Sequence, residues 1–365
     1  MNRRMILGIL GALAVSSVLE AETRNYEQWV GVWQGELDRQ PGVTVTLGRD
    51  SGDLEGTIVV SLQATAQTDS SPHKVQFVTV DEGVKLEVLD WGGLGRPLIF
   101  LAGAGDTAHA FDNFAPKFTG QNHVYGITRK GFGASSKPAP TNGNYSADRL
   151  GDDVLAVMQA LRIEGLVLVG HSLAGEELSS IGSRYPNKVS GLIYLDAVAS
   201  WSFYDPAHPQ VEIEMNGIKK RIEEIEAGEV DEQEKLRELE IAIARFETVL
   251  HQNNEDVKTM PPLPPRSPIH AALNFGVEKY TSIPVPILAI FACPHDWSHF
   301  FANDPERRAA RLAADTAACS ARAESFAHGV PTARVVRIPN ADHYVYRSNE
   351  AQVIDEMKKL LRTLP

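Results

Sequence analysis

Short apolar runs alternate with amphipathic stretches along most of the chain, and the alternation begins at residue 75. Residues 98–101, 124–127, 166–169, 192–195, 287–291 and 335–338 are almost wholly apolar, the pattern of strands buried on both faces. Between them, residues 146–161, 172–185, 305–326 and 350–361 place apolar side chains at helical spacing. This rhythm predicts an α/β fold with a mostly parallel central sheet flanked by helices. Residues 75–80 and 84–89 meet at Asp81-Glu82-Gly83 with no helix between, which predicts an antiparallel edge.

Two segments break the rhythm. Residues 43–47 and 57–60 are β-rich and flank the turn-prone Gly48-Arg49-Asp50-Ser51-Gly52-Asp53, so a small N-terminal β-hairpin extension is expected, too small to form a core alone. It is expected to rest on the main body through the polar linker 63–73. The second break lies between Leu195 and Ile287, where about ninety residues carry no strand signal. There, residues 231–251 align Leu236, Leu239, Ile243, Phe246 and Leu250 on one face, and 218–225 suggests a shorter helix; the proline-rich stretch 260–265 stops the pattern. An inserted helical cap is expected. The boundaries are residues 22–73 for the extension and linker, 74–199 and 284–365 for the two halves of the core, and 200–283 for the cap.

Composition narrows the function. A formal net charge of −12 with no Lys/Arg stripe argues against a nucleic-acid partner. Residues 1–21 begin Met1-Asn2-Arg3-Arg4, continue with an apolar run and end in small and polar residues, as a secretory signal peptide does. Ala12-Leu13-Ala14 and Leu19-Glu20-Ala21 are the two candidate cleavage points. No other run is apolar over the roughly 20 residues that a spanning helix needs, so a secreted or periplasmic protein with no integral membrane segment after cleavage is expected. Export would allow Cys293 and Cys319 to pair, and two buried thiols is the equal alternative.

The candidate chemistry centres on Leu166-Val167-Leu168-Val169-Gly170-His171-Ser172-Leu173-Ala174-Gly175. An apolar strand runs into Gly-His-Ser and a helix starts at once. A serine at so sharp a turn needs small residues around it, and the helix N-terminus beneath favours negative charge. This resembles the nucleophile elbow of the α/β-hydrolase superfamily, with Ala174 where a second glycine is usual. Thr128-Arg129-Lys130-Gly131-Phe132-Gly133-Ala134-Ser135 resembles a structural turn of the same family, with Thr128 replacing an aspartate.

The resemblance implies a serine hydrolase acting on a small ester-like substrate, with Ser172 as nucleophile. It implies His343, after the last core strand, as the base. It places the orienting acid after the preceding strand, hence Asp296; Asp196, one strand earlier, is the alternative. The backbone N–H groups of Leu173 and Ala104 are the implied oxyanion donors. Epoxide hydrolases and haloalkane dehalogenases of the superfamily use a carboxylate where this chain has Ser172. Lactonase, amidase, carbon–carbon hydrolase or perhydrolase chemistry would use the same residues, and a non-catalytic ligand-binding homologue is the alternative from another class. No cofactor is implied. His295 and His299 are spaced for a metal only on a helix, which Pro294 opposes, so no metal site is expected.

Overall fold

The computed structural model describes residues 31–37, 40–50, 53–60, 71–141, 143–198, 202–206, 209–228, 232–258, 267–298 and 305–364. The expected signal segment 1–21 lies outside them, as does most of the expected linker. The chain divides into two compact units, 1–68 and 69–365.

The first unit carries strands β1 (Gly31–Leu37), β2 (Gln40–Asp50) and β3 (Asp53–Val60) in one antiparallel sheet, ordered β1-β2-β3. The hairpin read from the sequence is β2–β3, paired from Val43↔Val60 to Asp50↔Asp53. The expectation of two strands was short by one: β1 pairs along β2 with a bulge at Gly35/Glu36. Its two glycines, Gly31 and Gly35, weaken the local strand signal.

The second unit holds an eight-stranded sheet. Its strands are β4 (Lys74–Asp81), β5 (Val84–Gly92), β6 (Arg96–Leu101), β7 (Asn122–Ile127), β8 (Leu166–His171), β9 (Val189–Leu195), β10 (Ile287–Ala292) and β11 (Ala333–Ile338). Their spatial order is β11-β10-β9-β8-β6-β7-β5-β4. All pairings from β11 to β7 are parallel, while β5 runs antiparallel to both β7 and β4. The expected antiparallel edge is therefore β4–β5.

The apolar runs are explained by two-sided burial. Along β8, Leu166 and Leu168 enter one core layer while Val167 and Val169 enter the opposite one. Helices α1 (Ala147–Leu161), α2 (Gly175–Arg184), α6 (Pro305–Gly329), α7 (Val345–Ser348) and α8 (Glu350–Thr363) alternate with the parallel strands. Ser146 caps α1, its hydroxyl accepting the Arg149 N–H. In α8, Val353 and Met357 are buried while Lys358 and Arg362 are not, which is the one-sided pattern that marked this helix in the sequence.

Between β9 and β10 lie α3 (Val211–Ala227), α4 (Glu232–Lys258) and α5 (Pro268–Phe275). Both long helices exceed the spans read from periodicity. Tyr204 donates its hydroxyl to Glu214 at 2.5 Å, and Asn216 donates to the carbonyls of Phe275 and Val277, tying α3 to both ends of the insertion. Of the expected apolar face of α4, Leu236, Ile243 and Leu250 remain substantially exposed, and Val249 is the buried residue. Cys293 and Cys319 form a disulfide joining the end of β10 to α6. No helix among the described residues is long and apolar enough to cross a membrane.

Candidate active site

Ser172 stands directly after β8, at the centre of the sheet, and a short 3-10 turn (Ser172–Ala174) leads into α2. Its φ is +52°, a left-handed value that costs a non-glycine residue energy and is found where geometry is functionally constrained. The neighbours explain the small residues. A Cβ on Gly170 would sit 2.7 Å from Leu178 and 3.2 Å from Ala174, so a side chain at 170 would have to displace Leu178, while the Ala174 methyl already fills the gap. The close backbone approach falls instead at Gly175, whose missing Cβ makes room for the Ala197 carbonyl and Ser202.

His343 follows β11, and its Nδ1 lies 2.6 Å from Asp196 Oδ2. The ring is partly open to solvent, and Nε2 is the nitrogen facing away from Asp196. Its backbone is fixed from below: His171 Nε2 donates to the His343 carbonyl at 3.1 Å, and the two rings lie 4.7 Å apart. Burial lowers the His171 pKa to about 3, and His343 adds to the effect, so His171 stays neutral and acts as a fixed donor. Among the described residues, Ser172 makes no hydrogen bond to His343 in this conformation; such contacts commonly tighten only when substrate binds.

The expectation that Asp296 faces the imidazole is corrected by the geometry, which gives that position to Asp196. β9 and β10 are parallel neighbours, with Leu195 opposite Ile290, so the residue after β9 emerges beside the end of β10. Asp196, at φ +46°, is held there by its own N–H on the Ile290 carbonyl and by Oδ1 accepting the Ala292 N–H at 3.0 Å. Asp296 is turned elsewhere. Its N–H bonds the Ala341 carbonyl and its Oδ1 accepts the Ser298 N–H, closing a local turn.

His295, one residue before Asp296, supplies the ring on the other side of Asp196. Its Nε2 is 2.8 Å from Asp196 Oδ2, and its Nδ1 is 3.0 Å from Asp315 Oδ2 on α6. Burial raises the Asp196 carboxyl, but hydrogen bonds from His295 and His343 outweigh it and hold the pKa at about 2. For His295, burial acts downward, and the bonds and charges of Asp196 and Asp315 reverse it to a raised value. The linkages have opposite signs. The Asp196 contribution to stability is present above the ordinary carboxylate range and is lost as pH falls through about 2. That of His295 is present below the ordinary imidazole pKa and is lost as pH rises through the raised one.

Asp196, His295 and His343 bring three atoms of metal-ligating type within 4.8 Å of one another. The contacts are those of hydrogen bonds. Ligands of one tetrahedral zinc at 2.0 Å stand about 3.3 Å apart, further than the 2.6 and 2.8 Å found here.

Of the two expected oxyanion donors, Leu173 follows Ser172 and Ala104 lies on the loop after β6. A Cβ on Gly103 would lie 3.0 Å from both Ser172 Cβ and His171 Nδ1, so this loop touches the elbow directly and a larger residue there would press on it. Arg129 fixes the loop from beneath. Its guanidinium donates to the carbonyls of Ala102 (3.0 Å) and Gly103 (3.3 Å) and forms a two-pronged bond to Glu177 on α2 at 2.5 and 2.7 Å. Because a peptide's C=O and N–H point oppositely, a Gly103 carbonyl held by Arg129 turns the Ala104 N–H away from the guanidinium. Thr128 is structural: its hydroxyl donates to Glu87 at 2.7 Å and accepts the Ala108 N–H. A cavity of about 610 Å³ between α2, α3 and α4 is lined by Arg184, Glu214 and Lys235, among others, and by none of Ser172, Asp196 or His343.

Residues 96–216 match a family profile described as alpha/beta hydrolase fold. The chain is similar to a fluoroacetate dehalogenase from a Burkholderia species, 30% identical over 31% of this chain and 38% of the relative. It is also similar to a bifunctional esterase/perhydrolase of Acinetobacter calcoaceticus, 30% identical over 40% of this chain and 51% of the relative. The matched stretches thus span about half or less of these relatives' length. A hydrolase structure from Pseudomonas aeruginosa PA01 shares the fold at TM-score 0.50 and 20% identity, covering 79% of this chain and 98% of that one. The sheet order, the strand–helix turn at Ser172 and these matches together identify the α/β-hydrolase fold in this chain.

Proposed function

We propose that the protein is a serine hydrolase that cleaves a carboxylic ester through an acyl-enzyme, with Ser172 as nucleophile, His343 as base and Asp196 as the acid that orients it. The observation carrying this reading is the 2.6 Å contact between His343 Nδ1 and Asp196 Oδ2, which directs Nε2 away from the carboxylate. In the proposed cycle Ser172 Oγ attacks the ester carbonyl and passes its proton to His343 Nε2. The oxyanion draws on the Leu173 and Ala104 N–H groups at the start of the Ser172–Ala174 turn and on the loop after β6. His343 returns the proton to the leaving alcohol, and water then repeats the sequence on the acyl group.

The similarity to a dehalogenase does not favour halide displacement, because a serine stands at the nucleophile position. A perhydrolase reading draws on the name of one relative and needs the same three side chains. The Cys293–Cys319 bond supports the further reading that the chain works outside the reducing cytosol.

A screen of p-nitrophenyl esters of increasing acyl length, with lactones, anilides and fluoroacetate alongside, tests the assignment. Turnover of at least one ester class and none of fluoroacetate is expected; inactivity toward every ester overturns it.

Arg129 offers a second check. Arg129→Met leaves Glu177 buried and unpaired, and is expected to cost about 3–5 kcal/mol in denaturant unfolding. Arg129→Met with Glu177→Met should recover most of that stability. Turnover of the double variant should remain about tenfold to a hundredfold low, since the loop bearing Ala104 has lost its anchor.

A further inference from the structure

We propose that His295 is held as a permanent imidazolium between Asp196 and Asp315, and that as a positioning residue it sets the pH range over which His343 works as a base. This rests on the reading of His343 as the base. Each ring nitrogen of His295 faces a carboxylate oxygen, Nε2 to Asp196 at 2.8 Å and Nδ1 to Asp315 at 3.0 and 3.2 Å. Ionised carboxylates only accept hydrogen bonds, so both contacts are made at once only when both nitrogens carry protons. The His295 backbone N–H adds a third bond to Asp315 at 2.7 Å, fixing the ring's root.

Three elements and the residue's own loop face the ring. Asp196 comes from the end of β9, Asp315 from α6 and His343 from beyond β11, its ring centroid 6.3 Å away. Trp297 lies 6.1 Å away on the same loop, with the Arg311 guanidinium over its indole at 4.2 Å. Charges therefore alternate along the row Asp315, His295, Asp196, and His343 is its open end. A proton arriving on His343 from bulk meets a carboxylate already shared with one cation. Asp196 thus divides one carboxylate oxygen between the His295 imidazolium and the His343 ring. Asp196 in turn accepts three hydrogen bonds, from His295, His343 and the Ala292 N–H, which hold it in its left-handed conformation.

The experiment has two arms on the full chain. In the first, ¹⁵N NMR of histidine-labelled wild type, with the His295 signals assigned by their loss in His295→Gln, is followed from pH 5 to about 8. Both His295 nitrogens are expected to stay protonated; a singly protonated ring at pH 7 overturns the proposal. This arm needs no turnover, so a chain inactive on every ester but with a doubly protonated His295 defeats the hydrolase assignment alone.

In the second arm, His295→Gln keeps an N–H donor toward Asp196 and removes the charge. The acid limb of its kcat/KM profile is expected to move up by about one pH unit. Activity lost uniformly, with the limb in place, marks a merely structural residue and overturns the proposal.

Discussion

Ser172→Ala should abolish labelling by a fluorophosphonate probe and lower ester turnover by about 10⁴- to 10⁶-fold, with the fold intact. The size of the effect follows from the chemistry. Without the hydroxyl there is no covalent intermediate, and what remains is the contribution of the oxyanion donors and of binding. The fold should survive because Ser172 is only partly buried and makes no side-chain hydrogen bond among the described residues. Alanine at φ +52° carries the same backbone cost that serine already bears. Intact-mass measurement of the labelled protein reads the outcome. Probe adducts at an unchanged rate in Ser172→Ala would place the nucleophile elsewhere, and an unlabelled wild type would favour a ligand-binding homologue.

The second large effect separates two aspartates that the sequence ranks with Asp296 first, whereas the contact with His343 is made by Asp196. Asp196→Asn is expected to lower kcat by about 10⁴-fold, since an amide at that position stabilises the wrong imidazole tautomer and no imidazolium. Asp296→Asn should stay within a few-fold of wild type, because its carboxylate closes a local turn on the Ser298 N–H while Asp196 is the carboxylate in contact with the imidazole. Steady-state kinetics of the two variants side by side decides the matter. A large loss in Asp296→Asn with a mild one in Asp196→Asn would reverse the assignment.

The contrast between these aspartates shows where sequence reasoning stops. The turn at Ser172 was legible because its steric demands are local: Gly170 and Ala174 lie within two residues of the serine, and the strand before it is apolar throughout. The sheet was legible for the same kind of reason, since burial on both faces writes itself into runs such as 166–169 and 287–291. Asp196 and Asp296, however, each follow an apolar strand and look alike in sequence. What distinguishes them is the register between β9 and β10 and the three hydrogen bonds that turn Asp196 toward His343, neither of which is local. Arg129 and Glu177 escaped notice because a charged residue reads as surface until its partner, 48 positions away, is known to be buried with it. The place of His295 beside Asp196 is equally silent in the sequence, because Asp315, which fixes its ring, lies 20 positions away.

The crosslink between Cys293 and Cys319 also bears on maturation. Cys293 precedes His295 by two residues and Cys319 follows Asp315 by four, so one covalent bond brackets both partners of that ion pair. A newly made chain with free thiols must hold the pair by non-covalent contacts alone. The disulfide thus ties together the two segments, the loop after β10 and α6, from which His295 and Asp315 meet.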